Sequence, residues 1–390
     1  MTNCHSRFRH LPAGRNAVEM EQIRILHVIG SMNFGGAETL IMNLYRNIDR
    51  SKVQFDFVEN TLKEAAFDEE IKMLGGKIYN CPHYTGKNHF AYLHWWKDFF
   101  QDHAQEYVAV HGHIGSTAAI YLHEAKKHGL FTIAHSHGTN GTGLKDRLYR
   151  LWSFPTRYIA DQFFICSREA GEDRYGRKVC DNTEHCRLFL NAIDTAHYAY
   201  NKMLRAETRA NWHITPDDIV IGHIGRFVKE KNHLFLIDVF SALYRLDPRM
   251  RLLLVGLEDP DCQVRKKAAR LGLTDRIIFA GLQKDTAPFY QAMDCFVLPS
   301  LSEGLPLVMV EAQASGLPCV ISDGVPDDCR IIPGLTTKCS LSNSADEWAI
   351  HIIHRLDSKR VDCSAAVAAA GFDLRQTAAW LEDLYLSKRN

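Results

Sequence analysis

From Ile23 onward, short runs of β-branched and aromatic residues alternate with stretches whose apolar positions recur every three to four residues. The runs predict strands at Ile23 to Ile29, Val53 to Val58, Lys77 to Cys81, Tyr107 to Val110, Phe131 to Ala134, Gln162 to Cys166 and Arg187 to Leu190. The amphipathic stretches predict helices at Ala37 to Ile48, Phe67 to Leu74, Tyr92 to His103 and Thr117 to His128. Alternation of this kind is the pattern of a parallel sheet covered by helices.

A second series follows Asn191-Ala192-Ile193-Asp194 and a charged stretch with Arg205, Glu207 and Arg209. Its strands are Ile219 to Ile224, Arg251 to Val255, Arg276 to Phe279, Cys295 to Leu298 and Pro318 to Ile321, and its helices Leu234 to Leu246, Gln263 to Leu271, Thr286 to Met293 and Leu307 to Ala314. A last periodic segment, Leu374 to Leu386, predicts a closing helix. The expected division is a tail over 1–20, one α/β domain over 21–194, a second over 195–371 and the closing helix within 372–390. Two doubly wound units in tandem point the carboxyl ends of their strands toward a shared crevice.

The length of 390 residues fits two domains, each able to bury a core. Lys+Arg and Asp+Glu both number 46, so no global charge favours nucleic acid and any anion site must be local. The 11 cysteines are odd in number, scattered and without a C-x-x-C pair, as reduced thiols of a cytosolic protein would be. The 20 histidines include no H-E-x-x-H, and no metal is expected. The first twenty residues, with Arg7, Arg9, His10 and Arg15, lack the apolar run of a signal peptide, and Met20 reads as a natural start. The longest apolar candidate, Leu305 to Ser322, is broken by Glu311 and Gln313, so no membrane span is expected.

Three loops carry chemistry. After the first strand, Gly30 to Glu38 contains Gly35-Gly36, which permit either a tight turn or close ligand approach at a helix start. In the second domain, Gly225-Arg226-Phe227-Val228-Lys229-Glu230-Lys231-Asn232 sets Arg226 behind a strand and Lys231 before a helix. Two cations converging there suit a diphosphate, whose charge grows when its bond breaks. The third loop, Pro299 to Pro306, leads into a helix through Glu303 and Gly304, and Pro306 suits the first helical turn with its free amides. Glu311 lies on an apolar helix face, where a carboxylate needs donors: ligand hydroxyls or protein groups.

The E-x7-E pair Glu303 and Glu311, the G-R-F-x-x-E-K-N run from Gly225 to Asn232 and the G-G-A-E loop from Gly35 to Glu38 resemble the family 4 retaining glycosyltransferases. The resemblance extends from about Ile23 to Leu386. It implies the GT-B fold, two facing Rossmann-like domains with parallel sheets and an interdomain cleft. It also implies a nucleotide-sugar co-substrate and no catalytic metal or other cofactor. Within that family, Ala134-His135-Ser136-His137-Gly138-Thr139-Asn140 looks most like enzymes of bacterial exopolysaccharide or capsule synthesis.

By that resemblance, Arg226 and Lys231 would hold the donor diphosphate. Glu303 would face the sugar, Gly304 and Leu305 would offer amides, and Glu311 would bind the ribose. Leu282, between Gly281 and Gln283, would border the base, while Gly35 and Gly36 would approach the donor from the opposite domain. His113, in His111-Gly112-His113, matches an active-site histidine; His137 is a further candidate, and His135 is expected in the core. The sequence departs from the family at Ala192, where glycine is usual. Asp259-Pro260-Asp261 reads as a turn rather than a metal motif.

The function implied is transfer of a hexose from a nucleotide-diphosphate sugar, a UDP-sugar foremost, to a glycan or lipid-linked acceptor. A UDP-sugar epimerase and a noncatalytic sugar-nucleotide-binding subunit of a polysaccharide assembly stay open as alternatives. The aromatic segment His89 to Phe100 and the basic-aromatic run Lys145 to Tyr158 are read either as core-facing helices or as peripheral contacts with an anionic membrane. The expected location is the cytoplasm, with peripheral attachment to the inner face of the membrane.

Overall fold

Two all-parallel sheets organise the computed structural model, which describes residues 21–138, 143, 150–258, 262–357 and 360–389. The 1–20 tail with Met20, Thr139 and Asn140, the 145–149 part of the basic-aromatic run and Asp259 to Asp261 lie outside the described residues. The first sheet holds β1 (Ile23–Ile29), β2 (Val53–Glu59), β3 (Ile78–Asn80), β4 (Ala109–Gly112), β5 (Phe131–Ser136), β6 (Gln162–Ile165) and β7 (Cys186–Leu188) in the order β3-β2-β1-β4-β5-β6-β7. The second holds β8 (Ile219–Ile224), β9 (Met250–Val255), β10 (Ile277–Gly281), β11 (Cys295–Leu298), β12 (Cys319–Ser322) and β13 (Thr336–Cys339) in the order β10-β9-β8-β11-β12-β13.

Helices cover both faces, so the central strands are buried throughout; every residue of β2 and of β11 is buried. That is why these strands read as near-continuous apolar runs. Strand order reverses between β1 and β4 and again between β8 and β11, the two switch points at which open α/β sheets bind ligands.

The structure moves or adds several elements. The fourth strand begins at Ala109, two residues later than its pattern predicts, and this puts His111 inside the sheet and His113 just beyond it. β13 carries Thr-Thr-Lys-Cys, too polar to read as a buried run, because it is an edge strand. The helix Lys202–Asn211 buries only Thr208 and Arg209. It is held instead by Arg205 and Arg209, which both pair with Asp294 and donate to the carbonyls around Ala292. Among the described residues, no helix is long and apolar enough to cross a membrane.

The chain crosses between the lobes twice, side by side. Ile193 bridges to Asp373 in parallel, Ile193 N–H donates to the Phe372 carbonyl, and Thr195 Oγ1 donates to Asp373 Oδ2 at 2.5 Å. Ala192 is buried in this junction. Past it, Asp373 caps the helix Leu374–Leu386, which returns to the first lobe and buries Leu374, Ala378, Leu381 and Tyr385 among Ile25, Phe55 and Phe164.

One glycine fixes the loop after β8. Gly256 has φ +152, and a Cβ there would stand 2.0 Å from the Gly225 carbonyl oxygen. We expect Gly256→Ala to cost about 2–3 kcal/mol through backbone strain and collision, read by calorimetry as a lowered midpoint. Gly272→Ala, which meets nothing within 4 Å at a φ of +69, is expected to cost about 1–2 kcal/mol, from the left-handed backbone alone.

Candidate active site

At the β8/β11 switch point, a short turn at Lys229–Lys231 ends in Asn232, whose φ of 55 is left-handed, before the helix His233–Leu246 begins. Asparagine tolerates that conformation better than most side chains. The reversal sends Lys231 across to the loop after β11, where Nζ donates to Glu303 Oε1 at 2.6 Å. The two side chains are only 20% and 12% exposed, so the pair is weakly screened. Leu301 N–H donates to the Glu230 carbonyl, tying the two loops together, and Glu303 N–H donates to the Gly324 carbonyl in the loop after β12. The amides of Gly304 and Leu305 have no hydrogen-bond partner among the described residues. They lie just ahead of the helix Leu307–Ala314, whose N-cap is Pro306 in extended conformation, one residue short of its expected place in the first turn. Arg226, on the same loop as Lys231, is exposed and has no ion-pair partner among the described residues.

The donors that Glu311 needs are supplied here by protein. Its Oε2 accepts from Tyr290 Oη at 2.7 Å and Thr286 Oγ1 at 3.4 Å, and burial raises its pKa above the ordinary carboxylate value. Leu282, beyond β10, is 71% exposed.

In the first lobe, Gly35 is the N-cap of the helix Gly36–Asn47 and the Glu38 carboxylate folds over it: a Cβ at 35 would stand 2.2 Å from Glu38 Oε2. At Gly36 a Cβ would meet nothing within 4 Å, so that position is open to an approaching group. The loop is anchored from below, where Met32 N–H donates to the buried Glu59, whose carboxyl is pushed up to about 7 by burial and by neighbouring Asp68.

The β1/β4 switch point carries a row of imidazoles. Side chains two apart on a strand share a face, which aligns His111 with His113 and His135 with His137, and strand register sets His27 opposite His111. His27 Nδ1 lies 3.0 Å from His113 Nε2, His113 Nδ1 lies 2.8 Å from His137 Nε2, and His111 Nε2 lies 3.2 Å from His135 Nδ1. Tyr385 Oη, from the returning terminal helix, lies 2.7 Å from His111 Nδ1. His27, His111 and His135 are buried, as expected for His135; His113 and His137 keep partial exposure. Desolvation lowers every member: His27 to about 3, His137 to about 4, and His111, His113 and His135 well below the usual imidazole value. Ligand nitrogens of His27, His111 and His113, and of His113, His135 and His137, lie within 4.8 Å of one another in each set. These are the described residues best placed to hold a metal ion, although the separations above are also those of hydrogen-bonded neutral imidazoles.

Comparison with known proteins places this arrangement. The family described as Glycosyl transferases group 1 matches residues 218–358. EpsF of Bacillus subtilis (strain 168), named as a glycosyltransferase, is 35% identical over 374 residues, covering 93% of this chain and 96% of the relative. The chain belongs to the group 1 glycosyltransferases. The D-inositol 3-phosphate glycosyltransferase of Nocardia farcinica (strain IFM 10152) is 30% identical over 318 residues, 69% of each chain. Anabaena Alr3699/HepE, solved in complex with UDP, superposes with a TM-score of 0.73 at 17% identity over 94% of this chain and 100% of that one. A glycosyltransferase from Rickettsia africae ESF-5 gives 0.73 at 14% identity over 94% and 98%. With its two parallel sheets, this glycosyltransferase has the GT-B fold.

The structure thus brings Lys231 and Glu303 into contact and sets the Gly304 and Leu305 amides next in the chain. It joins His113 to His137, and it gives Glu311 protein partners. What sequence reasoning missed is His27: a single histidine inside an apolar strand carries no signal until register puts it beside His111.

The neutral histidines make stability fall in acid. An imidazole whose folded pKa lies below its unfolded value near 6.5 binds a proton more readily in the unfolded chain. Its contribution is complete above about pH 6.5 and is lost as pH falls toward the folded pKa, about 3 for His27 and about 4 for His137. We expect each of these two to withdraw about 2 kcal/mol by pH 5. Urea midpoints measured from pH 7.5 to 5 should fall steeply, and less steeply in His27→Asn.

Proposed function

We propose that this glycosyltransferase is a retaining, metal-independent member of family 4. In this reading it moves a hexose from a UDP-sugar to a hydroxyl of a glycan or lipid-linked acceptor during polysaccharide assembly, at the cytoplasmic face of the membrane. The observation that carries the reading is the half-buried Lys231–Glu303 pair beside the Gly304 and Leu305 amides, which have no partner among the described residues, at the β8/β11 switch point. HepE, which shares the fold, was solved with UDP and with UDP-glucose.

Without a donor, Glu303 neutralises Lys231. A diphosphate entering the loop would take over the ammonium and the amides, and Glu303 would be released to accept from sugar hydroxyls. As the anomeric C–O bond breaks, its electron pair goes to the β-phosphate. Lys231, Arg226 and the two amides stabilise that charge while the anomeric carbon becomes positive. The acceptor oxygen forms the new glycosidic bond on the face the leaving group vacates, and its proton passes to the departing phosphate oxygen. Glu311, held by Tyr290 and Thr286, keeps a second oxygen for the ribose, and Leu282 and Gly36 would border the donor from either lobe. Closure of the lobes would exclude water and limit hydrolysis of the donor.

A surface patch supports peripheral attachment. In the helix His89–His103, Tyr92, Trp96, Phe99 and Phe100 are buried, so most of that aromatic segment serves the core. Phe90, Leu151, Trp152 and Tyr158 stay exposed at 84, 69, 45 and 75%. Trp152 packs against Tyr84 and His89, joining the two segments into one surface. Apolar rings with nearby Arg150 and Arg157 suit an anionic bilayer.

Thermal shift with UDP-glucose, UDP-galactose and UDP-N-acetylglucosamine tests the donor site. One of them should raise the wild-type midpoint and leave Lys231→Ala and Glu303→Ala unmoved. Transfer by Lys231→Ala should fall by about a hundredfold or more. An inverted anomer in the product's proton spectrum would refute retention, and epimerised UDP-sugar formed without acceptor would favour an epimerase. Phosphatidylglycerol vesicles should co-sediment the wild type, and the Phe90→Ser, Tyr158→Ser double variant should stay in the supernatant.

A further inference from the structure

Three imidazoles of the row converge on one spot. His113, His135 and His137 each offer a ring nitrogen within 4.8 Å of the other two. His113 Nδ1 lies 2.8 Å from His137 Nε2, and the His135 and His137 rings stack with centroids 4.0 Å apart. His135 meets His111 through Nδ1, and its Nε2 is buried without a partner. An ion bound about 2.0–2.1 Å from each nitrogen sets tetrahedral ligands about 3.4 Å apart, so His113 and His137 need to open by only about half an ångström. The other group of three, His27, His111 and His113, is less suited. His27 and His111 are shut off from solvent, and both nitrogens of His111 are engaged, by Tyr385 and His135.

The protons can be arranged to suit an ion. A neutral imidazole has one donor and one acceptor nitrogen. If His135 Nδ1–H donates to His111 Nε2, and His111 Nδ1–H to Tyr385 Oη, then His135 Nε2 is a bare lone pair. The reverse direction would make it a buried N–H with no acceptor, which proteins tolerate less. A metal-bound histidine is oriented by just such a hydrogen bond from its other nitrogen. At His113 the arrangement must change: with an ion on Nδ1, its proton moves to Nε2 and is donated to His27 Nδ1, and the proton of His27 moves to its buried Nε2. Each ring keeps one proton. The buried N–H this creates on His27 weakens binding, and it also marks it.

The ligand set selects the ion. Three imidazoles with no carboxylate among them suit zinc, copper, nickel or cobalt; magnesium, calcium and manganese take oxygen instead. Burial already holds all three rings neutral, the form that binds metal. His113 and His137 keep partial exposure, which gives an ion a way in and leaves its remaining positions open to solvent. Arg174 disfavours positive charge at His137, so those positions suit an anion such as hydroxide or chloride.

We propose that His113, His135 and His137 form a binding site for one zinc-class ion, with His111 and His27 behind them as positioning residues. The site does not rest on the glycosyl-transfer reading, in which transfer needs no ion. Joined to that reading it makes zinc an inhibitor, because the ion occupies the imidazoles at the β1/β4 switch point.

The test titrates the full chain, first dialysed against chelator, with cobalt(II) as a spectroscopic stand-in for zinc. Intense visible bands of tetrahedral cobalt should rise to one ion per chain and collapse on adding zinc, while magnesium and calcium leave them unchanged. His113→Gln and His137→Gln should each weaken cobalt binding by about a hundredfold or more and His111→Phe by about tenfold, at thermal midpoints that show the variants folded. In 15N-histidine spectra of the zinc-loaded chain, the proton of His27 should stand on Nε2, which an ion on surface histidines would not cause. Pale octahedral bands, cobalt held at full affinity by the His113→Gln, His137→Gln double variant, or displacement of cobalt by magnesium would overturn the site and leave an adventitious ion only. In transfer assays with UDP-glucose or UDP-galactose, stoichiometric zinc should stop the reaction and chelator restore it. Transfer undisturbed by zinc seated on these histidines would support the metal site and tell against placing the sugar nucleotide beside the row.

Discussion

The constraint on which everything else depends is the reversal of strand order at the middle of each parallel sheet. Crossover connections leave β1 and β4, and likewise β8 and β11, toward opposite sides, so the carboxyl ends of the central strands are left uncovered. Loops emerging there meet no packed neighbour, and they can hold polar groups in place without sealing them from ligands. The two polar clusters of this glycosyltransferase both occupy such gaps. One contains a lysine, a carboxylate and bare amides; the other contains a row of imidazoles with Tyr385 and Arg174 beside it.

The two gaps are built for opposite electrical tasks. Beside β8 and β11, a lysine–glutamate pair and spare amides store positive potential under partial cover, where an entering anion can exchange partners at little reorganisation cost. Beside β1 and β4, burial strips the histidines of charge and leaves their dipoles aligned through hydrogen bonds.

How much of this was legible follows from where the information resides. Strands buried on both faces announce themselves as apolar runs, and Leu374–Leu386 is readable because its apolar stripe faces the first lobe's core. Edge strand β13 and the arginine-anchored helix Lys202–Asn211 are held by pairing and hydrogen bonds that leave no apolar period. The loop motifs placed Lys231 and Glu303 at strand ends, but their contact spans 72 residues of chain and exists only through the β8/β11 adjacency. The two H-x-H motifs were visible as separate pieces; their union with His27 and Tyr385 required register and the return of the last helix.

That return has a consequence for how the molecule comes into being. Tyr385 reaches beneath His111, and the helix bearing it covers Ile25 and Phe55, residues made far earlier in synthesis. A ribosome has therefore released the whole second lobe before the first lobe can be finished. Until the helix Leu374–Leu386 emerges, an apolar flank of that lobe waits in water, and nascent chains cut short before it would expose the same flank to aggregation and proteolysis.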